Sequence, residues 1–256
     1  MGTLTKGAAQ VNRTRRNLTK SAALVVGALA GLSATGGPAS ARHWHGGGGG
    51  SWNCFLRGTR IRTERGYRKI ETLAVGDRVV TRFGGVSAIK AIGRHAIRRD
   101  AVDGRWPAEA RPVRIRPSAL DEGVPARDLY LTPTHALFLD EVLVPVGDLV
   151  NGESIVVEDV SDRGRLDYFN IELDGHDVID AEGAACETLR GPAATGTGGV
   201  RGGASKTPCA PVLSFDGGRN ELKSRLRSAA AVVVDRRRPL DVIRDRLEER
   251  GLALAA

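Results

Sequence analysis

The sequence predicts an all-β domain followed by a short helical tail. Between residues 54 and 190, apolar and polar residues alternate in several short stretches, which is typical of half-buried strands. Turn signals such as Gly76-Asp77 and Asn151-Gly152 separate these stretches at short intervals. No glycine-rich phosphate loop opens a helix and strands do not alternate with helices, so the pattern does not favour a doubly wound α/β sheet.

The predicted strands are short and are spread over the whole of this region. The clearest alternations lie at residues 113–116, 128–131, 154–157 and 168–173. Towards the C-terminus, Leu240, Ile243 and Leu247 recur at helical spacing, with Pro239 where a first helical turn accepts proline and Gly251 near the end. We therefore expect an amphipathic helix that docks on the β domain.

The N-terminus has the features of a bacterial export signal. Residues 14–20 (TRRNLTK) resemble the twin-arginine (Tat) pattern, although Thr19 stands where a second apolar residue is usual. An apolar run over residues 22–32 follows, and it is shorter than the ~20 residues that a membrane span needs. Ala39-Ser40-Ala41 then gives a small-x-small cleavage pattern. We expect removal of residues 1–41 and a periplasmic or extracellular protein with no stable membrane span; a signal anchor or a disordered basic arm is the alternative.

The charge of the chain gives no indication of nucleic-acid binding. The formal net charge is +8, but residues 1–41 carry five basic residues and no acidic one. The remainder holds 33 basic and 30 acidic residues, a net charge of +3, as on an ordinary soluble surface. Since no basic stripe is interleaved with aromatic residues, we expect no nucleic-acid partner.

The cysteines favour a free thiol. Cys54, Cys186 and Cys209 are three in number and none forms a C-x-x-C pair, so neither a disulfide framework nor a zinc site is indicated. His43 and His45 in the glycine-rich leader form a His-x-His pair, but such a pair in a flexible segment gives only weak metal binding. We expect no cofactor and no metal.

These patterns divide the chain into five segments. They are a signal peptide at 1–41, a glycine-rich leader at 42–53, the β domain at 54–190, a flexible linker at 191–210 and a tail with the amphipathic helix at 211–256.

Three blocks of sequence within the β domain carry the chemistry. The first covers residues 54–63 (CFLRGTRIRT) and continues at 70–81 (IETLAVGDRVVT). The second is residues 131–139 (LTPTHALFL), and the third extends from Tyr168 to Gly183. Together and in this order, the blocks resemble those of Hedgehog/intein (Hint) domains, over about half of the chain. The resemblance implies a horseshoe-like β fold.

The resemblance also implies a self-cleavage reaction and the residues that perform it. Cys54 would attack the carbonyl of Asn53 and turn the Asn53–Cys54 amide into a thioester, since a thiolate attacks carbonyls well. His135 would protonate the departing nitrogen, and Thr132 would hold the scissile peptide by hydrogen bonding. The substrate is thus the chain's own N-terminal flank, and water or a small nucleophile accepts the acyl group.

Three residues are auxiliary candidates, and one histidine is set aside. His176 fits the third block, with a structural role favoured over a catalytic one, and the Asp of many relatives is Asn170 here. Cys186 lies on the segment expected to return to the nucleophile, so we expect it near Cys54, either close enough for a redox-gating disulfide or as a buried hydrophobe that points away. His95 lies in an Arg-rich segment that we expect to be a solvated loop.

Departures from the family pattern limit the reaction. The chain after Gly183 reads AACETL, without the His-Asn pair that inteins need to release their C-terminal side, so full splicing is not expected. No added apolar segment favours a sterol acceptor. The alternative function is a catalytically inactive Hint fold used as a secreted binding or structural module. A cysteine protease acting in trans is less favoured, because no third member of a catalytic triad is identifiable.

Overall fold

A computed structural model describes residues 53–100, 103–191, 207–214, 228 and 237–256. The predicted signal peptide, almost all of the leader and most of the predicted linker lie outside the described residues. Among the residues described, no helix is both long enough and apolar enough to cross a membrane.

Fourteen short strands form the framework of the described chain. In chain order, β1 to β14 are Phe55–Leu56, Arg60–Thr63, Gly66–Lys69, Arg78–Thr81, Gly85–Ala88, Ala91–Arg98, Val113–Ile115, Leu129–Leu131, Ala136–Leu139, Val142–Pro145, Ile155–Val157, Arg165–Glu172, Val178–Ala181 and Ala184–Glu187. Three 3-10 helices lie at Ile70–Thr72, Ala108–Ala110 and Val146–Leu149. The α-helix α1 is Pro239–Ala255.

The strands form two antiparallel sheets. The first has six strands in the order β11-β7-β8-β1-β12-β6, and the second has the order β10-β9-β14-β13-β2-β4-β5 with β3 paired to β2. The chain passes from the first sheet to the second between β8 and β9, and this crossing becomes important for the site. The all-β prediction is confirmed, and the four stretches with the clearest alternation form β7, β8, β11 and β12.

The predicted C-terminal helix is also confirmed. Leu240, Ile243 and Leu247 of α1 are buried in the main apolar core, which also contains strand residues from both sheets. The Arg238 N–H donates to the Asp241 carboxylate at 2.9 Å and so caps the first turn. Gly251 lies inside the helix, where a Cβ would stand 3.0 Å from Ser154 Oγ, so a small residue is needed for this close packing.

Candidate active site

The pairing of β1 brings two distant segments to Cys54. Phe55 pairs with Leu131 of β8 on one side and with Phe169 of β12 on the other, both antiparallel. One step back along each pairing, Cys54 therefore lies between Thr132 and Asn170. The sheet register explains why residues 78 and 116 positions away in sequence flank the nucleophile.

A tight turn explains the Thr-x-x-His spacing. The His135 N–H donates to the Thr132 carbonyl at 3.0 Å and closes a four-residue turn, with Pro133 at its second position, where the fixed φ of proline is favourable. The turn is one of the connections that cross between the two sheets. It therefore holds the hydroxyl of Thr132 and the imidazole of His135 together beside β1, and both residues are fully buried.

The Asn53–Cys54 peptide is held on both sides of the bond. The Cys54 N–H donates to Thr132 Oγ1 at 2.9 Å, and the Thr132 N–H donates to the Cys54 carbonyl at 3.0 Å. On the other side, Asn53 Nδ2 donates to Glu187 Oε1 at 2.8 Å. Asn53 and Cys54 are each only 1% exposed, so the orientation of this amide is set by the protein and not by water.

The thiol of Cys54 lies in apolar surroundings. Cys54 belongs to a buried cluster with Leu56, Val160, Leu166 and Tyr168. Burial raises the pKa of the thiol to about 12, although a hydrogen bond from the Asn170 side chain acts in the opposite direction. The thiol is therefore protonated at neutral pH.

The amide of Asn170 is oriented by its neighbours. Its Oδ1 accepts the Gly93 N–H at 3.0 Å, since Asn170 and Gly93 are paired residues of β12 and β6. Its Nδ2 therefore faces Cys54 Sγ at 3.8 Å and His95 Nε2 at 3.3 Å. The amide donates towards the sulfur, where it favours the thiolate.

His95 was wrongly predicted to be in a solvated loop. It lies on β6, is paired with Tyr168 of β12 and is half-buried. Burial lowers the pKa of its imidazole. The alternation in β6 was obscured because the outward positions carry arginines, and only the pairing of β6 with β12 brings His95 to the site.

His135 is a neutral base in this arrangement. Burial lowers the pKa of the imidazole to about 4, while the charge of Glu187 and the backbone of Cys54 and Glu187 act in the opposite direction. His135 Nε2 lies 3.1 Å from the Glu187 carbonyl oxygen, which can only accept, so Nε2 carries the proton. Nδ1 keeps a lone pair and makes no hydrogen bond among the described residues. The ring is thus ready to take up a proton at Nδ1.

Glu187 is a site residue that the sequence analysis missed. Its carboxylate is fully buried next to the scissile peptide and accepts from Asn53, from the Ala136 N–H at 2.8 Å and from His176 Nε2 at 3.3 Å. Arg190 Nε lies 3.0 Å from its Oε2. His176 therefore contacts Glu187, as a supporting residue, and nothing in the structure brings it to the bond itself.

The segment that carries Cys186 does return to the nucleophile, but with the other face towards it. Cys186 is paired with Leu137 and packs in the main core, whereas Cys54 belongs to a separate cluster, and both thiols are free. Because side chains alternate along β14, Glu187 is the residue that reaches the scissile peptide. Cys54 and Cys186 are not joined by a disulfide, and the full burial of Cys186 in the core matches the alternative of a buried hydrophobe that points away.

No group of three or more His, Cys, Asp or Glu side chains is placed to hold a metal ion within the part of the chain that the structure describes.

Comparisons with known proteins give the family. Among solved structures, the chain is similar to a bacterial intein-like domain from Clostridium thermocellum (17% identity, 53% of this chain and 97% of that one, TM-score 0.38). It is also similar to the gp41-1 intein (15% identity, 52% and 97%, TM-score 0.37) and to the MchDnaB-1 intein (13% identity, 52% and 98%, TM-score 0.35). A search of curated proteins finds no match. The model of the Hint domain family matches residues 53–192, more than half of the chain. The chain therefore belongs to the Hint domain family, a family of autoprocessing domains.

Proposed function

We propose that this protein cleaves its own Asn53–Cys54 peptide bond through an N-to-S acyl shift, without splicing. One observation carries the proposal. The buried amide is held by Thr132 on its N–H side and by Glu187 through Asn53, beside the turn that carries His135, whose Nδ1 has no hydrogen-bond partner among the described residues. Fixing the bond in this way lowers the entropic cost of an intramolecular attack.

The proposed first step moves one proton and exchanges one bond. His135 Nδ1 takes the proton of the Cys54 thiol while Sγ bonds to the Asn53 carbonyl carbon. The carbon–nitrogen bond then breaks, and His135 returns the proton to the Cys54 nitrogen, which becomes a free amine. His135 thus acts first as base and then as acid, because its lowered pKa leaves no spare proton at the start.

The second step releases the flank. Water attacks the thioester carbon, the carbon–sulfur bond breaks, and the sulfur takes a proton to restore the thiol. The freed flank ends in the carboxylate of Asn53. Throughout, Asn170 donates towards the sulfur, which favours the thiolate that attacks and later leaves.

A second function is favoured by the state of the thiol. With a pKa of about 12, the Cys54 thiol is almost entirely protonated at pH 7. An unreactive thiol of this kind is what we would expect in an inactive Hint fold that serves as a binding or structural module. The two functions differ in whether a thioester ever forms.

Intact mass measured on the purified full chain tests the proposal. The parent should yield a fragment that begins at Cys54, faster with dithiothreitol or hydroxylamine, because both attack thioesters. Cys54→Ala should yield none, while the matched control Cys209→Ala should cleave as the parent does, since Cys209 contacts His176 only through its backbone N–H. Cleavage in Cys54→Ala would indicate an outside protease, and a parent that stays whole in hydroxylamine would favour the inactive module.

We also propose that the protein is exported by the Tat pathway with loss of residues 1–41. The support is the order of the Arg15-Arg16 pair, the apolar run and Ala39-Ser40-Ala41. Replacing both arginines with lysine should stop export, and unchanged export would refute the assignment.

A further inference from the structure

Glu187 has an unusual position for a charged residue. Its side chain is fully buried, yet it has no oppositely charged partner that is equally buried, since the Arg190 side chain is 23% exposed. Its carboxylate instead collects hydrogen bonds from the protein interior. One of these, from Asn53 Nδ2 at 2.8 Å, comes from the segment that the proposed reaction would release.

The neighbouring donors fix the positions of the protons around Glu187, and they therefore fix its role as a hydrogen-bond acceptor. The Cys209 N–H donates to His176 Nδ1 at 2.9 Å, which leaves the ring proton on Nε2, where it points to Glu187 Oε2 at 3.3 Å. Burial on its own raises the pKa of Glu187, but the hydrogen bond from His176, the charge of Arg190 and the hydrogen bond from the Ala136 N–H act in the opposite direction, and the pKa is lowered. Glu187 is therefore an acceptor with no proton of its own to offer.

We propose that Glu187 selects the residue that precedes the scissile bond, accepting an uncharged hydrogen-bond donor at position 53 and excluding a carboxylate there. The inference rests on the proposed function, since it concerns the flank of the bond that is cleaved. It goes further in assigning a recognition role to a residue outside the nucleophile and the Thr-x-x-His turn. The ligand class is an amide side chain, presented by the chain's own leader.

The physical basis is the burial of this contact. Asn53 is 1% exposed, so a side chain without a donor would leave Glu187 short of a buried partner. A carboxylate at position 53 would place two negative charges within hydrogen-bonding distance, and one of them would have to take up a proton or move away. Movement would displace the carbonyl carbon that Cys54 must attack, and uptake of a proton at neutral pH would cost free energy before the reaction could begin.

Four variants of the full chain test this selection by their rates of release in hydroxylamine. Asn53→Asp should be about 10- to 100-fold slower than the parent, because a hydrogen bond to a charged group is replaced by repulsion. Asn53→Leu, whose side chain is similar in size but has neither a donor nor a charge, should cleave at a rate between those of the parent and Asn53→Asp. Glu187→Gln should lower the rate less than Asn53→Asp does, since its amide oxygen still accepts from Asn53.

The double variant Asn53→Asp/Glu187→Gln is the decisive measurement. It should be at least about tenfold faster than Asn53→Asp alone, because the glutamine amide can donate to the new carboxylate. If the two substitutions simply multiply their effects, or if Asn53→Asp cleaves at the rate of the parent, Glu187 does not select.

A second readout keeps this inference separate from the cleavage reaction. If the parent never cleaves and hydroxylamine captures nothing, the proposed function fails, and the same substitutions are then compared by thermal unfolding in the Cys54→Ala chain. Asn53→Asp should lower the melting temperature more with Glu187 present than with Glu187→Gln. Equal shifts in the two backgrounds would overturn the selection by Glu187 in the folded protein.

Discussion

The two residues joined by the proposed scissile bond lie in opposite kinds of surroundings. On the Cys54 side the neighbours are Leu56, Leu166 and Tyr168, and burial holds the thiol in its protonated form. On the Asn53 side the neighbour is the Glu187 carboxylate, which is kept ionised by polar contacts. The flank is thus held firmly while the nucleophile is kept unreactive, so in the proposed cleavage we expect thiol activation, and not binding of the flank, to limit the rate.

His135 is the residue that connects these two sides. Its Nε2–H donates to the carbonyl of Glu187, and its ring packs edge-on against Phe55, the residue after the nucleophile, with ring centroids 4.4 Å apart. Its orientation is therefore fixed from the polar side while its free Nδ1 remains available for proton transfer. If activation of the thiol limits the rate, the substitution of His135 should have a larger effect than any change that is confined to one side and keeps the Cys54 thiol.

Among variants that keep the Cys54 thiol, the largest expected effect is that of His135→Ala. Removing the only proposed proton carrier should slow cleavage by about 10²–10⁴-fold, the usual contribution of a positioned general acid–base. His95→Ala is the matched control, since His95 contacts the site through Asn170 and should lower the rate by less than about tenfold. Both rates are followed by intact mass in hydroxylamine. Equal losses in the two variants would mean that His135 is not the proton carrier.

A smaller effect is expected in the pH dependence of the first step. When the thiol proton passes to His135 and then to nitrogen, no proton is exchanged with solvent, so the parent rate should be level from about pH 5 to pH 9. It should fall as pH drops towards 4, because protonation of His135, whose pKa is about 4, removes the acceptor. At the other limit, the Cys54 thiol ionises only near pH 12.

His135→Ala should change the shape of this profile. Without an internal acceptor, hydroxide must remove the thiol proton, and the rate should rise about tenfold per pH unit below the pKa of Cys54. The measurement uses hydroxylamine at concentrations that no longer affect the rate, with circular dichroism at each pH to confirm that the chain is folded. If the parent already shows this slope, hydroxide from the solvent, and not His135, removes the proton of the thiol.

Much of the fold could be predicted because its pattern is local. Strands such as β7 and β12 alternate in sequence, and α1 shows its three core residues at helical spacing. The Thr132 to His135 spacing is also local, since a four-residue turn with proline brings its first and last residues together. The family resemblance identified this pair, and the turn gives the physical reason for it.

The remainder of the site depends on contacts that no local pattern reveals. Glu187 contacts Asn53 although the two residues are 134 positions apart in sequence. The sequence indicated that the segment with Cys186 and Glu187 returns to the nucleophile, but it did not indicate which of the two side chains faces the site. One residue of shift along a strand exchanges the core face for the site face. His95 was missed for the related reason that the outward face of β6 carries arginines, which made the strand resemble a loop.

The smallest expected effect concerns the polar contact on the nucleophile side. Gly93 is paired with Asn170, and a Cβ at position 93 would stand 2.3 Å from Asn170 Oδ1 and 2.8 Å from its Cγ. These distances are too short for any real contact, so Gly93→Ala must push the Asn170 amide away from its present place. The amide would then lose the Gly93 N–H that orients it and move its Nδ2 relative to Cys54 Sγ.

We expect Gly93→Ala to slow cleavage by about three- to tenfold, because one donor to the developing thiolate is weakened while His135 and Thr132 are untouched. Overpacking should also lower the free energy of unfolding by about 1–3 kcal/mol, measured with urea. Gly164→Ala is the matched control, since a Cβ at Gly164 meets nothing within 4 Å. If Gly93→Ala is destabilised but cleaves as fast as the parent, Asn170 packs beside the thiol without assisting it, and the nucleophile side then has no polar assistance other than His135.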